Sequence, residues 1–187
     1  MKDIENLLML IKSTPEFIAL KNSIENNDWH HEEATYDHSL RVLSNAERIA
    51  KDCSSARVKL LVMSALLHDI AKPSVIRRTD GRTKCPDHEA LSAEMTEKIL
   101  RRLAVAEEEI KLVSDIIGNH DVFHDALSLE GEEREVALGK IKKDLEHIYP
   151  ELLIQSYADT LGSYLETTRS SEYEQRINFY KHELSIL

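Results

Sequence analysis

Apolar residues recur along this chain at intervals of three and four, the spacing of one face of a helix. Ile4, Leu7, Leu8 and Ile11 mark a short amphipathic helix over residues 3–12. Thr14-Pro15-Glu16-Phe17 reads as the next start, with Thr14 as N-cap and Pro15 in the first turn. That helix is expected to reach about Asn26, with Phe17, Ile18 and Ile24 in the core, before Asn26-Asn27-Asp28 breaks the pattern. Residues 35–52 predict a long helix: Leu40, Leu43, Ala46 and Ala50 form one line, and Val42, Ala46 and Ile49 its neighbour. His38 lies in its first turns on the Val42 side. Ser54-Ser55 is a break and cap, and residues 56–70 form the most hydrophobic helix. Nothing from Val62 to Leu67 asks for water, and Pro73 soon after is consistent with a stop.

The helical pattern then lapses from Val75 to Lys84. Asp80-Gly81 is a strong hairpin-turn dipeptide, so a small β-ribbon or ordered loop is expected near residues 75–85. Helices are predicted again over 89–103, with His88 at the N-cap, and over 106–118, ending at Gly118 with His120 just past the stop. Residues 121–130 read as a loop, and 132–149 as a charged helix with one face open to water. Pro150 begins a helix to about Thr168, with Leu152, Leu153, Tyr157, Leu161 and Leu165 apolar and Asp159 in the middle. Residues 171–184 close the chain as a helix. No repeat and no Pro/Gly/Ser-rich linker divides it. The expectation is one all-α domain over 1–187, with a core at 36–165, N-terminal helices at 3–26 and a C-terminal helix at 171–184.

Composition supports that reading. The 187 residues are 42% hydrophobic, enough for a compact core, and five glycines and four prolines argue against a β-rich fold. The net charge of −10 gives no bulk attraction to nucleic acid or anionic membrane. A phosphate substrate would have to be drawn by a local positive centre, which a bound metal supplies. Cys53 and Cys85 form no C-x-x-C pattern, so free thiols in a reducing cytoplasm are expected. Cys85 with His88 is either half of a Cys-x-x-His metal site or a plain loop cysteine. No apolar run has the length of a membrane span, and Met1-Lys2-Asp3-Ile4-Glu5 lacks a secretory pattern.

The chemistry concentrates at His68-Asp69, the end of the most apolar helix. Such a pair is costly to bury without a partner. Taken alone it reads first as a buried His-Asp hydrogen bond; a divalent cation would satisfy it equally, through an imidazole nitrogen and a carboxylate oxygen. Its company changes the picture: His38 upstream, then His88 in Pro86-Asp87-His88-Glu89, His120 in Gly118-Asn119-His120-Asp121, and Asp159 in Tyr157-Ala158-Asp159-Thr160. An acid amid Ala158 and Leu161 is expensive to bury uncompensated, which favours a ligand role. His30-His31 reads as a surface cluster or as the lining of a substrate mouth, and His124 has no assigned role. Arg77, Arg78, Arg82 and Lys84 make the most basic segment of the chain, either a solvated turn or a rim that receives phosphate.

The order His, His-Asp, His, His, Asp resembles the HD superfamily of metal-dependent phosphohydrolases, with His38, His68, Asp69 and Asp159 at its signature positions. Asp80-Gly81-Arg82, the run from Cys85 to Glu94 and Ile116-Ile117-Gly118-Asn119-His120-Asp121 are similar to the HD domain attached to bacterial CCA-adding tRNA nucleotidyltransferases, here without a nucleotidyltransferase motif. The resemblance implies an HD-domain helical bundle in which those four residues bind a first divalent metal. It implies that His88 and His120 serve a second, with Asp69 bridging. Lys72 matches a lysine that contacts phosphate, although Ala71 stands where the family often has glycine. Asp69 and Lys72 would then serve the chemistry directly, and Arg77 and Arg82 would meet the substrate. A His/carboxylate site suits Mn, Fe, Co, Ni or Zn, and a wetter one Mg. The expected activity is hydrolysis of a nucleotide or small phosphate ester by a metal-activated water. The alternative is a metal-stabilised module that binds a nucleotide or protein without turnover.

Overall fold

The structure, a computed structural model, describes residues 2–186. In chain order it has α1 (Lys2–Lys12), α2 (Pro15–Ala19), a 3-10 turn (Leu20–Asn22), β1 (Ile24–Asn26), β2 (His31–Ala34), α3 (Thr35–Ile49) and α4 (Ser55–Leu67). There follow α5 (Lys72–Val75), β3 (Arg77–Thr79), β4 (Arg82–Lys84), α6 (His88–Arg102) and α7 (Glu107–Gly118). The chain closes with α8 (Val122–Leu127), α9 (Gly131–Asp144), α10 (Tyr149–Gly162), α11 (Leu165–Thr168) and α12 (Ser170–Ser185). The fold is all-α apart from two short antiparallel hairpins, β1–β2 and β3–β4.

Helix α4 is the centre. Every residue from Leu61 to Leu67 is buried, and Val42, Leu43 and Ala46 of α3, Ile99 and Leu100 of α6, Ile110, Val113 and Ile117 of α7 and Ala158 of α10 close around it. A helix apolar on all sides is stable only when wrapped in this way. Ser54 caps its start, Oγ accepting from the Arg57 amide at 3.3 Å. A second cluster joins Phe123, Tyr149, Leu152, Leu153 and Tyr180, tying α8 and α12 to α10. The charged helix α9 rests half-buried Leu138 and Ile141 on this cluster and opens its other face to water, ending at Asp144 rather than near Tyr149.

Three sequence expectations need correction. The helix begun at Thr14-Pro15 ends at Ala19 and does not reach Asn26. A 3-10 turn follows and then strand β1, paired with β2, because a turn built on Asn27 reverses the chain: Asn27 Oδ1 accepts from the Trp29 and His30 amides at 2.8 and 3.0 Å. Strand alternation turns Glu25 inward and leaves Ile24 exposed, and Ile18 is also exposed rather than in the core. Secondly, 121–130 is not all loop: Phe123 and Leu127 are buried on α8, a helix too short to show a period. Thirdly, the helix from Pro150 stops at Gly162, and Leu165–Thr168 is a separate turn. The ribbon near residues 75–85 is β3–β4, its turn formed by Asp80 and Gly81 with φ of 49° and 78°.

Gly162 fits closely against α3. A Cβ there would stand 3.0 Å from Val42 Cγ2 and 3.5 Å from its amide nitrogen. Gly162→Ala is therefore expected to destabilise the protein by about 1–3 kcal/mol through overpacking. The check is a thermal melt, in which Tm falls by about 2–12 °C.

Candidate metal centre

The helix-end residues converge on one buried point. His38 is on the first turn of α3, His68 and Asp69 follow the end of α4, and Asp159 lies one turn before the end of α10. His38 Nε2 is 2.8 Å from Asp159 Oδ1 and 3.8 Å from Asp69 Oδ2; His68 Nε2 is 3.1 Å from Asp69 Oδ2 and 3.7 Å from Asp159 Oδ1. On the other side of the same carboxylate, Asp69 Oδ1 is 3.1 Å from His88 Nε2 and 3.7 Å from His120 Nε2. Asp69 thus turns one oxygen to each group.

His68 and His88, each 3.1 Å from its own Asp69 oxygen, have the spacing of ligands that share a cation, and the 2.8 Å between His38 and Asp159 is closer than that. Metal–ligand bonds of about 2.0–2.2 Å place neighbouring ligand atoms about 3.0–3.5 Å apart. Asp69 Oδ1 and Oδ2, Asp159 Oδ1 and His68 Nε2 are all buried without an aligned hydrogen-bond partner, although Lys72 Nζ lies 2.9 Å from Asp69 Oδ2. Buried polar atoms rarely stay unsatisfied. The imidazoles are oriented to match. His68, His88 and His120 each donate from Nδ1 to a backbone carbonyl, of Ala65, Cys85 and Ile117, at 3.0, 2.9 and 2.6 Å. A carbonyl only accepts, so Nδ1 carries a proton and Nε2 is the ring nitrogen turned to Asp69. Both groups of residues have the donor types and closeness to hold a metal.

The electrostatics agree. Burial alone would raise the Asp69 carboxyl, but His68, Lys72 and His120 outweigh it and hold it well below the usual range. Asp159 is held down likewise, burial being outweighed by His124, His38 and His68. Two ionised carboxylates in the interior call for positive charge. In the metal-free chain part of it is a proton: burial would lower the His120 imidazole, yet Asp121 and Asp69 push it up to about 10.

Sequence reasoning missed a supporting layer. Lys72 Nζ lies 3.0 and 3.1 Å from the Glu25 oxygens and 3.4 Å from His30 Nε2. Its ammonium is held well above the usual value because Asp69 and Glu25 overcome the opposing effect of burial. His30 is buried, its Nδ1 2.9 Å from Glu33 and its ring 4.5 Å from that of His38, whereas His31 is on the surface. The surface-cluster reading therefore holds for His31 and fails for His30. His124 acquires a place too: its Nε2 donates to Asp159 Oδ2 at 3.0 Å, since an ionised carboxylate can only accept. The one available signal was its spacing of four from His120.

The centre forms the floor of a cavity of about 1010 Å³ whose walls include Lys72, Arg77, Arg82, Lys84, Arg169 and Arg176. Cys85 also lines it but makes no Cys-x-x-His site: its Sγ faces Glu25 Oε2 at 3.9 Å.

This all-helical fold gathers at its helix ends histidines and aspartates that could hold a cation. Residues 35–163, more than half of the chain, match the family described as HD domain, and the chain belongs to that family. Proteins of this family bind divalent metals and are commonly metal-dependent hydrolases. A solved structure of a predicted HD superfamily hydrolase from an uncultured Thermotogales bacterium is similar over 93% of this chain and 90% of its own, with 19% identity and a TM-score of 0.47. No curated protein matches the sequence. Among the described residues, no helix is long and apolar enough to cross a membrane.

Proposed function

We propose that the protein is a metal-dependent phosphohydrolase acting on a nucleotide or a small phosphate ester. The observation that carries this reading is the Asp69 carboxylate, with its oxygens facing two separate sets of ligand atoms, each without an aligned hydrogen bond. His38, His68, Asp69 and Asp159 would hold one cation, and Asp69, His88 and His120 a second. A cation held there supplies Lewis acidity, which lowers the pKa of a water it carries and draws charge from a phosphoryl oxygen. Lys72 keeps a permanent positive charge beside Asp69, where it counters charge growing on the phosphoryl oxygens. Arg77 and Arg82 stand at the rim to receive the rest of the substrate. Water is the fitting nucleophile. Among the described residues the thiol lining the cavity is Cys85, which is pushed up to about 12 by burial and by Glu25 and so stays protonated.

The test is a panel of phosphomonoesters and phosphodiesters with Mn, Co, Ni, Zn or Mg added to purified protein. Hydrolysis is expected to stop on chelation and return with added metal. Activity that persists after chelation would reject the reading, and metal binding without turnover of any ester would favour the non-catalytic module. Metal at a hundred times its Kd is expected to stabilise the fold by about 2.7 kcal/mol. A scan of the loaded and chelated protein would show this as a Tm difference of about 5–11 °C.

A further inference from the structure

The mouth of the cavity carries a charge feature that the metal centre does not use. In a chain of net charge −10, ribbon β3–β4 places Arg77, Arg78, Arg82 and Lys84 within eight residues. Arg82 reaches Asp28 Oδ1 at 2.5 Å, and Arg169, the residue before α12, reaches Asp28 Oδ2 at 2.5 Å. Two guanidinium groups from distant parts of the chain therefore share one carboxylate, each taking its own oxygen, and all three residues line the cavity. Arg169 also reaches Glu172 at 3.3 Å, a carboxylate that Arg176 meets at 2.6 Å, so three arginines stand against two carboxylates and the cluster keeps a net positive charge. Arg77 and Lys84, on the same wall, make no ion pair among the described residues.

The position of this cluster links it to the centre. Asp28 is two residues before His30, so their Cα atoms are at most about 7 Å apart, and the His30 ring lies 4.5 Å from that of His38. The pairs are also weakly held. More than half of each arginine side chain is exposed, at 61% and 56%, and exposed ion pairs contribute little. The guanidinium fork matches phosphate at least as well as carboxylate. The cavity's volume is at the upper end of the roughly 300–1,000 Å³ typical of small-molecule pockets, more than one phosphoryl group fills.

We propose that Arg82 and Arg169 form a second anion subsite which Asp28 occupies in the free protein, and that the substrate carries a further phosphate that displaces Asp28. The assignment of the first phosphate to the metal centre rests on the phosphohydrolase reading above; the subsite itself does not. The chemistry required is a phosphate near the scissile one, supplied by a nucleoside bisphosphate or by the linkage of an oligonucleotide end.

Calorimetric titration with adenosine 3′,5′-bisphosphate, adenosine 3′-monophosphate and a 3′-phosphorylated dinucleotide tests this, with Mg present and again after chelation. Where turnover occurs, KM replaces Kd. The protein is expected to bind at least one two-phosphate probe about 10- to 100-fold more tightly than the monophosphate, the range for charge-assisted hydrogen bonds. Arg82→Gln and Arg169→Gln should each shrink that ratio, and together bring it near one. Asp28→Asn should move the ratio the other way, because it unloads Arg82 and leaves Arg169 only its contact with Glu172. A larger ratio for the dinucleotide assigns the second phosphate to an oligonucleotide end, and a larger one for the bisphosphate to a mononucleotide. Equal binding of all three probes would overturn the proposal. So would an Asp28→Asn ratio that falls with those of the arginine variants, since Asp28 would then be a strut for the arginines. A preference that persists while no ester is hydrolysed removes the phosphohydrolase reading and leaves the subsite standing.

Discussion

Asp69→Asn is expected to abolish phosphate-ester hydrolysis and to remove cation binding at both positions together. The amide keeps the shape of the side chain but lacks the charge, and it offers an N–H₂ group to one of the two sets of ligand atoms. Loss of an outer partner of a metal ligand typically lowers metal affinity or activity about 10- to 100-fold, so the loss for a shared ligand should exceed about a hundredfold. Activity assays and metal titration on the same preparation check this, with circular dichroism to show that the helices persist. Retained hydrolysis in this variant would remove Asp69 from the mechanism.

The largest stability effect is expected at Lys72. Its ammonium is lodged between Glu25, which is 2% exposed, and Asp69, which is 1% exposed. Lys72→Met leaves Glu25 buried beside an apolar side chain, and an uncompensated buried charge costs about 3–5 kcal/mol. Measured on chelated protein, Tm should fall by about 6–20 °C. The pH dependence should change sign as well. In the wild type, burial would raise the Glu25 carboxyl, but Lys72 and His30 hold it below its usual value. Its contribution to stability is then present above its unfolded pKa and lost as pH falls. Without Lys72, burial dominates and the folded pKa is raised, so the contribution is present in acid and lost as pH rises. Glu25→Gln in the Lys72→Met background should restore much of the stability, a non-additivity that a double-mutant cycle would measure. Simple addition of two losses would show that the pair is not coupled.

Much of the fold was legible because its helices follow a strong apolar period. Residues 56–70 read as the central helix from the run Val62–Leu67 alone, and Ser54 could be read as its break and cap. What escaped was governed by tertiary contacts. Residues 20–26 have a helix-like composition, yet Glu25 is drawn inward by Lys72, a partner 47 positions away, and no local pattern announces that. The same cause hid half of the site. His38, His68, Asp69, His88, His120 and Asp159 drew notice because the types and order of metal ligands are distinctive. Glu25, His30, Glu33 and His124 are ordinary residues until packing gives each a charged neighbour. The rim arginines were visible as a basic segment, but their common partner, Asp28, lies 54 residues from Arg82 and could not be read from spacing.

The central claim is that one carboxylate joins two cation positions at the end of α4. Anomalous diffraction from crystals grown with manganese tests it most directly. The account predicts two peaks, one within bonding reach of Asp69 Oδ2, His38, His68 and Asp159, the other within reach of Asp69 Oδ1, His88 and His120. Anomalous density found only away from Asp69 would contradict it.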